Sequence, residues 1–381
     1  MSSHFCVNPW ISAHVKLDQG YNPCCLFNKT YRADSLTAYA QSPELTSLKN
    51  RILSGEQVEE CGYCWMQEQQ GYDSKRIRDN KTYQKIFLHR FKDRELELQS
   101  NFNEYYIRLG NHCNLRCTTC TEEFSTGWVS ENKKFGLVPG PTVLIDDHDP
   151  LWQHLKDNAR DIAVLQFIGG EPFMMSTEPQ RDLLKFLAES GHARHIRIKY
   201  NTNLTRLPTE QLPYWPAFKA IEINGSIDGV GDRFEYLRFP AKWDDADHHI
   251  DFYKNLIETT TPNLELTVMH TVSLYNIGYV QEMLDYGSAK GIPVFLNLLE
   301  FPKYYNVFDA TPKVKQWIKN MIKSVDNSVI KNIHDQLDQY PSATDNIQLL
   351  KLINTLDQRR GLNAAKTFPE LIEVITSDRP Y

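Results

Sequence analysis

The sequence predicts an α/β fold. From about residue 104 onward short β-rich runs alternate with helical stretches, and each run is apolar enough to be buried on both faces, the pattern of βα units and a parallel sheet. The chain, at 381 residues with 41% hydrophobic side chains, is long enough for one large core with smaller modules attached. Six strands are read: Tyr105 to Leu109, Ile162 to Ile168, His195 to Tyr200, Ala220 to Asn224, Leu264 to Thr271 and Pro293 to Leu299.

The helices between them follow from periodicity and stop signals. Thr177 to Glu189 carries Leu183, Leu184 and Leu187 on one face and ends at Gly191; Ile277 to Ala289 repeats the pattern and ends at Gly291. The first crossover is long. Ser125 to His148 contains Gly136, Pro139, Gly140 and Pro141 before a helix that starts near Pro150, and it reads either as part of a substrate wall or as a solvated insertion. Before residue 100 no strand rhythm is legible, only a helix from Ser42 (N-cap, with Pro43 at N1) to Leu53 and a charged helical stretch from about Asp79 to Leu98. After about Thr311 the chain turns helical and polar, with breaks at Pro341 and Pro369 and no chemical motif, so a packing or partner-binding tail is expected there.

The net charge of −6 and pI near 6.1 supply no basic field for sequence-independent nucleic-acid binding. The first residues show neither a basic nor an apolar leader region, and no apolar run approaches the length that spans a bilayer, so a soluble cytoplasmic protein without a membrane partner is expected. All eight cysteines, at 6, 24, 25, 61, 64, 113, 117 and 120, fall in the first 120 residues. Without export signals such clustering points to metal or cluster ligands rather than disulfides.

Cys113-Asn114-Leu115-Arg116-Cys117-Thr118-Thr119-Cys120 has C-x3-C-x2-C spacing directly after the first strand. Three close thiolates suit one cubane iron–sulfur cluster and leave its fourth iron open for a small molecule. The second strand ends in Gly169-Gly170-Glu171-Pro172, where two glycines let backbone approach a ligand without a Cβ. The spacing, its place, and Gly-Gly-Glu-Pro one β-unit later together resemble the radical S-adenosylmethionine (SAM) superfamily, whose core is a partial (β/α)6 TIM barrel. One departure is Thr119, where that family commonly has an aromatic residue before the third cysteine.

The resemblance implies that Cys113, Cys117 and Cys120 hold a [4Fe-4S] cluster, that Gly169 to Pro172 contact SAM, and that Asn203, Ser226 and Asp228 at the next two strand ends do so too, with Arg238 a partner for the SAM carboxylate. From the residues alone, Asn201-Thr202-Asn203 and Ser226-Ile227-Asp228-Gly229 read equally as turns, and Arg238 as a surface arginine. No catalytic acid or base is identified from the sequence.

Cys6, Gly20, Cys25, Cys61 and Cys64 fit the opening of the twitch and SPASM auxiliary-cluster modules, C-x(9 to 15)-G-x4-C followed by C-x2-C; here the module precedes the barrel instead of following it. Of the adjacent pair Cys24 and Cys25, the glycine spacing favours Cys25. A second [4Fe-4S] cluster and a four-cysteine structural zinc site are both open for this module. The expected organisation is an N-terminal twitch-like module over residues 1–100, a radical SAM core over 101–310 and a helical extension over 311–381. The implied activity is reductive cleavage of SAM and hydrogen abstraction from a peptide or protein, with an electron donor such as flavodoxin or ferredoxin. Oxidation or rearrangement of a small molecule, or non-catalytic electron transfer, are the alternatives.

Overall fold

The computed structural model describes residues 4–17, 20–69, 71, 73–92, 102–175 and 177–378. The strands are β1 (Ser12–Val15), β2 (Gly20–Asn22), β3 (Tyr31–Arg32), β4 (Glu104–Arg108), β5 (Val164–Ile168), β6 (Arg197–Thr202), β7 (Ala220–Ser226), β8 (Leu264–Val272) and β9 (Val294–Leu298), and the sheet order is β3-β2-β1-β4-β5-β6-β7-β8-β9. β4 to β9 are the six strands read from the sequence, each shifted by one to two residues at one or both ends. They follow one another in chain order, the order of a partial (β/α)6 barrel, and the β4–β5, β5–β6 and β8–β9 pairs are parallel.

Two expectations are corrected. Strands do precede residue 100: β1 pairs parallel with β4 in the register His14↔Tyr106, and β2 and β3 add antiparallel to it. They are short, two to four residues, which is why no period-2 pattern stands out. The core strands are also not apolar on both faces. Tyr105, Ile107, Leu165, Phe167, Ile198 and Tyr200 are fully buried, whereas Tyr106, Arg108, Gln166 and Lys199 alternate with them on the opposite face.

The chain divides into two compact units. The first comprises Met1–His112, Thr142–Tyr200 and Pro208–Glu222; the second comprises Cys113–Pro141, Asn201–Leu207 and Ile223–Tyr381. The first unit is centred on an aromatic group in which Tyr200 meets Phe167 at 5.5 Å, Phe173 at 4.9 Å and Trp215 at 5.8 Å between ring centroids. Its helix Pro43–Leu53, capped by Ser42 as expected, and its helix Glu178–Glu189, capped by Thr177, match the expected spans, the latter ending before Gly191 in the left-handed region. The charged helix runs Lys75–Lys92, earlier than expected, and residues 93–98 of that expectation lie outside the described residues.

The second unit joins β8 and β9 to the helices Pro312–Ile322, Ser328–Gln336, Ile347–Arg360 and Pro369–Thr376 in one apolar core. Phe368, fully buried, makes edge or tilted contacts with Tyr236 (5.2 Å), Tyr275 (5.5 Å) and Tyr279 (5.8 Å), so truncating it to alanine costs about 3–5 kcal/mol. The helical C-terminal stretch is therefore part of this core.

Candidate functional site

The three-cysteine loop opens the second unit, and its backbone is hydrogen-bonded almost residue by residue. Arg116 N donates to the Phe239 carbonyl and Thr118 N to that of Leu237, both at 2.7 Å, while Thr118 Oγ1 donates to Tyr236 O at 3.2 Å. From the other side Tyr305 Oη donates to Thr118 O at 2.9 Å and Trp128 Nε1 to Cys117 O at 3.0 Å. The Ser125 hydroxyl donates to Leu115 O and caps a helix, Thr126–Lys134, inside the long crossover. That helix was not legible, because the residue it buries is Glu131 rather than an apolar one. Most of the loop's peptide groups are thus tied to the surrounding chain.

Cys113 Sγ accepts from Leu115 N at 3.5 Å and from Asn203 Nδ2 at 3.6 Å. Burial pushes the Cys120 thiol up to about 12, with the Cys117 and Cys113 thiols pushing the same way; Cys117 is raised chiefly by burial, and Arg238 opposes both shifts. The three thiols thus lie within electrostatic reach of one another. Among the described residues no three His, Cys, Asp or Glu side chains are already drawn together as a site for a single metal ion. The donor set, thiols alone on one loop with cationic Arg238 beside them, fits an iron–sulfur cluster, whose charge with thiolate ligands is negative.

The glycines of Gly169-Gly170-Glu171-Pro172, in the first unit, have a more local reason than ligand approach. Gly169 has φ of +135°, and a Cβ on it would lie 2.5 Å from the Gly110 carbonyl oxygen; a Cβ on Gly170 would lie 2.1 Å from that of His112. The close approach is sealed by Gly170 N donating to Gly110 O (3.2 Å) and Glu171 N to His112 O (2.8 Å). Glycine is thus required to bring the end of β5 against the segment that leads into the cysteines. Glu171 is fully buried, and its carboxylate accepts from Phe173 N at 3.3 Å, capping the short 3-10 helix Pro172–Met174.

At the end of β6 the chain bends sharply: Leu204 takes φ of 60°, a left-handed value seldom adopted by a branched aliphatic residue. The bend sets Asn203 to donate both to Cys113 Sγ and, at 3.1 Å, to Asn114 Oδ1, while its own Oδ1 accepts from Thr205 N (2.9 Å) and Thr205 Oγ1 (2.6 Å). Asn114 and Thr205 complete this network at 2.9 Å and went unrecognised in the sequence, where each reads as an ordinary polar loop residue. Ser226 ends β7 and is half-buried.

Asp228 and Arg238, singled out separately as SAM contacts, are partners of each other. Arg238 Nη2 stands 2.7 Å from Asp228 Oδ2 with side chains 13% and 4% exposed, so both charges are desolvated as a pair. Asp228 Oδ1 also accepts from Thr271 N at 2.9 Å, and Asn276 donates to the Asp228 carbonyl at 3.0 Å. This is a fixed pair beside the cysteine loop rather than a surface arginine.

The N-terminal cysteines lie on three segments of the first unit, within electrostatic reach of one another. Burial pushes the Cys6 thiol up to about 12, with Cys61 and Cys64 adding to it; Cys61 is likewise at about 12, after burial through Cys24 and Cys64. Cys24 is buried and is influenced by Cys25 and Cys6, whereas Cys25 is exposed and is influenced by Lys75, Asp79 and Cys64. Cys24 therefore stands with two of the other cysteines and Cys25 with one.

No protein-family model and no curated protein matches this chain. Solved structures do. Native anSMEcpe with bound AdoMet is 17% identical, with a TM-score of 0.43 over 58% of this chain and 59% of that one. Streptococcus suis SuiB bound to S-adenosylmethionine is 15% identical, with a TM-score of 0.40 over 79% and 66%. TsrM, a radical S-adenosylmethionine methyltransferase from Kitasatospora setae, is 10% identical, with a TM-score of 0.33 over 51% and 35%. The chain spans 59% and 57% of the first two structures it matches. At such identities and scores the functional reading rests on this chain's own residues.

Proposed function

We propose that the chain is a radical SAM enzyme that reductively cleaves S-adenosylmethionine and uses the resulting 5′-deoxyadenosyl radical to abstract hydrogen from a substrate C–H bond. The observation that carries it is the Cys113–Cys120 loop: three thiols at C-x3-C-x2-C spacing on a backbone pinned from both sides, with Asn203 donating to one thiol. When bound, a [4Fe-4S] cluster with one open iron supplies the electron for SAM cleavage.

The remaining chemistry belongs to the chain. Cys113, Cys117 and Cys120 are the ligands, and Asn203 with Asn114 and Thr205 fixes the Cys113 side of the loop. Gly169 and Gly170 set the end of β5 against Gly110 to His112, which makes Glu171 and Pro172 candidates for holding the amino group of SAM. The Arg238–Asp228 pair offers a cationic edge for its carboxylate, with Asn203 and Ser226 as further polar contacts. Cys6, Cys61 and Cys64 with Cys24 or Cys25 are proposed to hold a second, auxiliary cluster, and that module supports a peptide or protein substrate over a small molecule.

Addition of SAM to the anaerobically reconstituted, dithionite-reduced protein tests this. The electron paramagnetic resonance (EPR) spectrum of one cluster is expected to change as SAM binds its open iron. A spectrum indifferent to SAM, with iron fully incorporated, would contradict the reading.

A further inference from the structure

The helix Ile347–Arg360 lies in the stretch that carries no motif, yet its last residue is among the most deeply buried charges of the second unit. The Arg360 and Glu131 side chains are 1% and 3% exposed, and the guanidinium makes three hydrogen bonds of 3.1–3.2 Å to the Glu131 carboxylate. Glu131 sits on the helix that follows the cysteine loop and also faces Arg116 of that loop, at 3.3 Å. Above the pair, the Arg360 guanidinium lies 4.5 Å from the Trp128 ring and 5.3 Å from the Phe239 ring. These two aromatic residues hold the loop itself: Trp128 donates to the Cys117 carbonyl, and the Phe239 carbonyl accepts from Arg116 N.

The same helix grips the loop's other support. Asp357, one turn before Arg360, accepts from Tyr236 Oη at 2.9 Å and from Ala364 N at 2.8 Å, and the Tyr236 and Leu237 carbonyls take the hydrogen bonds of Thr118. Around Glu131 stand two cations, the buried Arg360 and the partly exposed Arg116 (27%), so this three-residue cluster behind Cys117 carries a net charge of +1. In such surroundings a fixed charge acts with little screening.

Resting on the reading of Cys113, Cys117 and Cys120 as cluster ligands, we infer that Arg360 is a positioning residue of the SAM-cleaving site: through Trp128, Phe239 and Glu131 it clamps the cysteine loop, and its buried charge raises the reduction potential of the cluster held there. The C-terminal helices are on this account the back wall of the site. A cluster gains one negative charge on reduction, so a net cation behind it favours the reduced form.

The test uses the full chain, reconstituted anaerobically, and reads by EPR-monitored titration the midpoint potential of the cluster whose spectrum responds to SAM. Arg360→Met is expected to shift the reduction equilibrium about tenfold toward the oxidised form, ~59 mV lower for one electron. Arg360→Lys, which keeps the charge, recovers most of that shift. Glu131→Gln, which leaves two cations unopposed, moves the potential the other way, and Lys351→Met, an exposed change on the same helix, leaves it where it was. Opposite shifts for Arg360→Met and Glu131→Gln are what loss of packing alone cannot produce. Equal potentials throughout, or shifts of one sign in both, overturn the inference. If Arg360→Met fails to retain iron, Glu131→Gln decides alone, an upward shift supporting the inference and any other result refuting it. A wild-type protein with no SAM-responsive signal would instead refute the parent reading, before any variant is made.

Discussion

Cys113, Cys117 and Cys120 ride on one loop whose backbone is tied to residues 236–239, Trp128 and Tyr305, whereas Cys6, Cys24 or Cys25, and Cys61 with Cys64 lie on three separate segments in the other unit. The first group depends on local spacing and on a scaffold of hydrogen bonds and buried charge. The second depends on the fold around it. At a site of the first kind the chain fixes the path of the loop before a metal arrives; a site of the second kind gains part of its order from the metal, as structural metal sites do.

That contrast can be broken most directly by removing one group and counting iron. Cys61→Ala is expected to lower iron from about eight to about four per chain while SAM cleavage persists. Four irons plus one zinc in the wild-type protein would instead identify the N-terminal site as structural zinc.

A second difference is the acid–base setting of the first unit. Glu104 opens β4, and burial pushes its carboxyl from 4.5 up to about 7 despite Lys75 and Lys199. Asp79 raises it further, and Tyr106 donates to it at 3.3 Å. Because the folded value lies above the ordinary one, the protonated carboxyl stabilises the fold fully below about pH 4.5, and that contribution is lost as pH rises through 7. The loss amounts to about 3 kcal/mol, so urea-unfolding midpoints are expected to fall between pH 5 and 8 in the wild type and to change much less in Glu104→Gln. Parallel pH profiles for the two proteins would place Glu104 in a better-solvated setting.

Gly170→Ala puts a Cβ 2.1 Å from the His112 carbonyl oxygen, where backbone must move, at a cost of about 1–3 kcal/mol. Its effect is expected to fall on the Cys113–Cys120 cluster and to spare the N-terminal one, read as loss of the SAM-responsive EPR signal with about half the iron retained. The smallest effect belongs to Asn203→Ala. It removes the donor to Cys113 Sγ together with the bonds to Asn114 and Thr205, at a cost of about 1–3 kcal/mol, so the SAM-responsive signal should shift slightly with iron unchanged. A shift in the other cluster's signal would mean that the two groups are not independent.

Much of the core was legible because its signals are local. The six strands β4 to β9, the cap at Ser42, the helix stop at Gly191 and the C-x3-C-x2-C spacing each lie within a few residues. What escaped depends on partners distant in sequence. β1 is four residues long and becomes a strand by pairing with β4, about ninety residues on. The pairing of Asp228 with Arg238, the Asn114–Asn203–Thr205 network and the reach of Arg360 to Glu131 are not legible residue by residue, even where Asp228, Arg238 and Asn203 were singled out, since a buried charge is marked only by the partner that neutralises it. Gly169 and Gly170 were found for a sound reason, close approach, although what approaches is the chain's own Gly110 to His112.

The most direct measurement is 5′-deoxyadenosine formation by the anaerobically reconstituted protein given dithionite and SAM, compared between wild type and Cys117→Ala. Production by the wild type and its loss in the variant is the expected result; cleavage at an unchanged rate in Cys117→Ala would contradict the assignment of the loop.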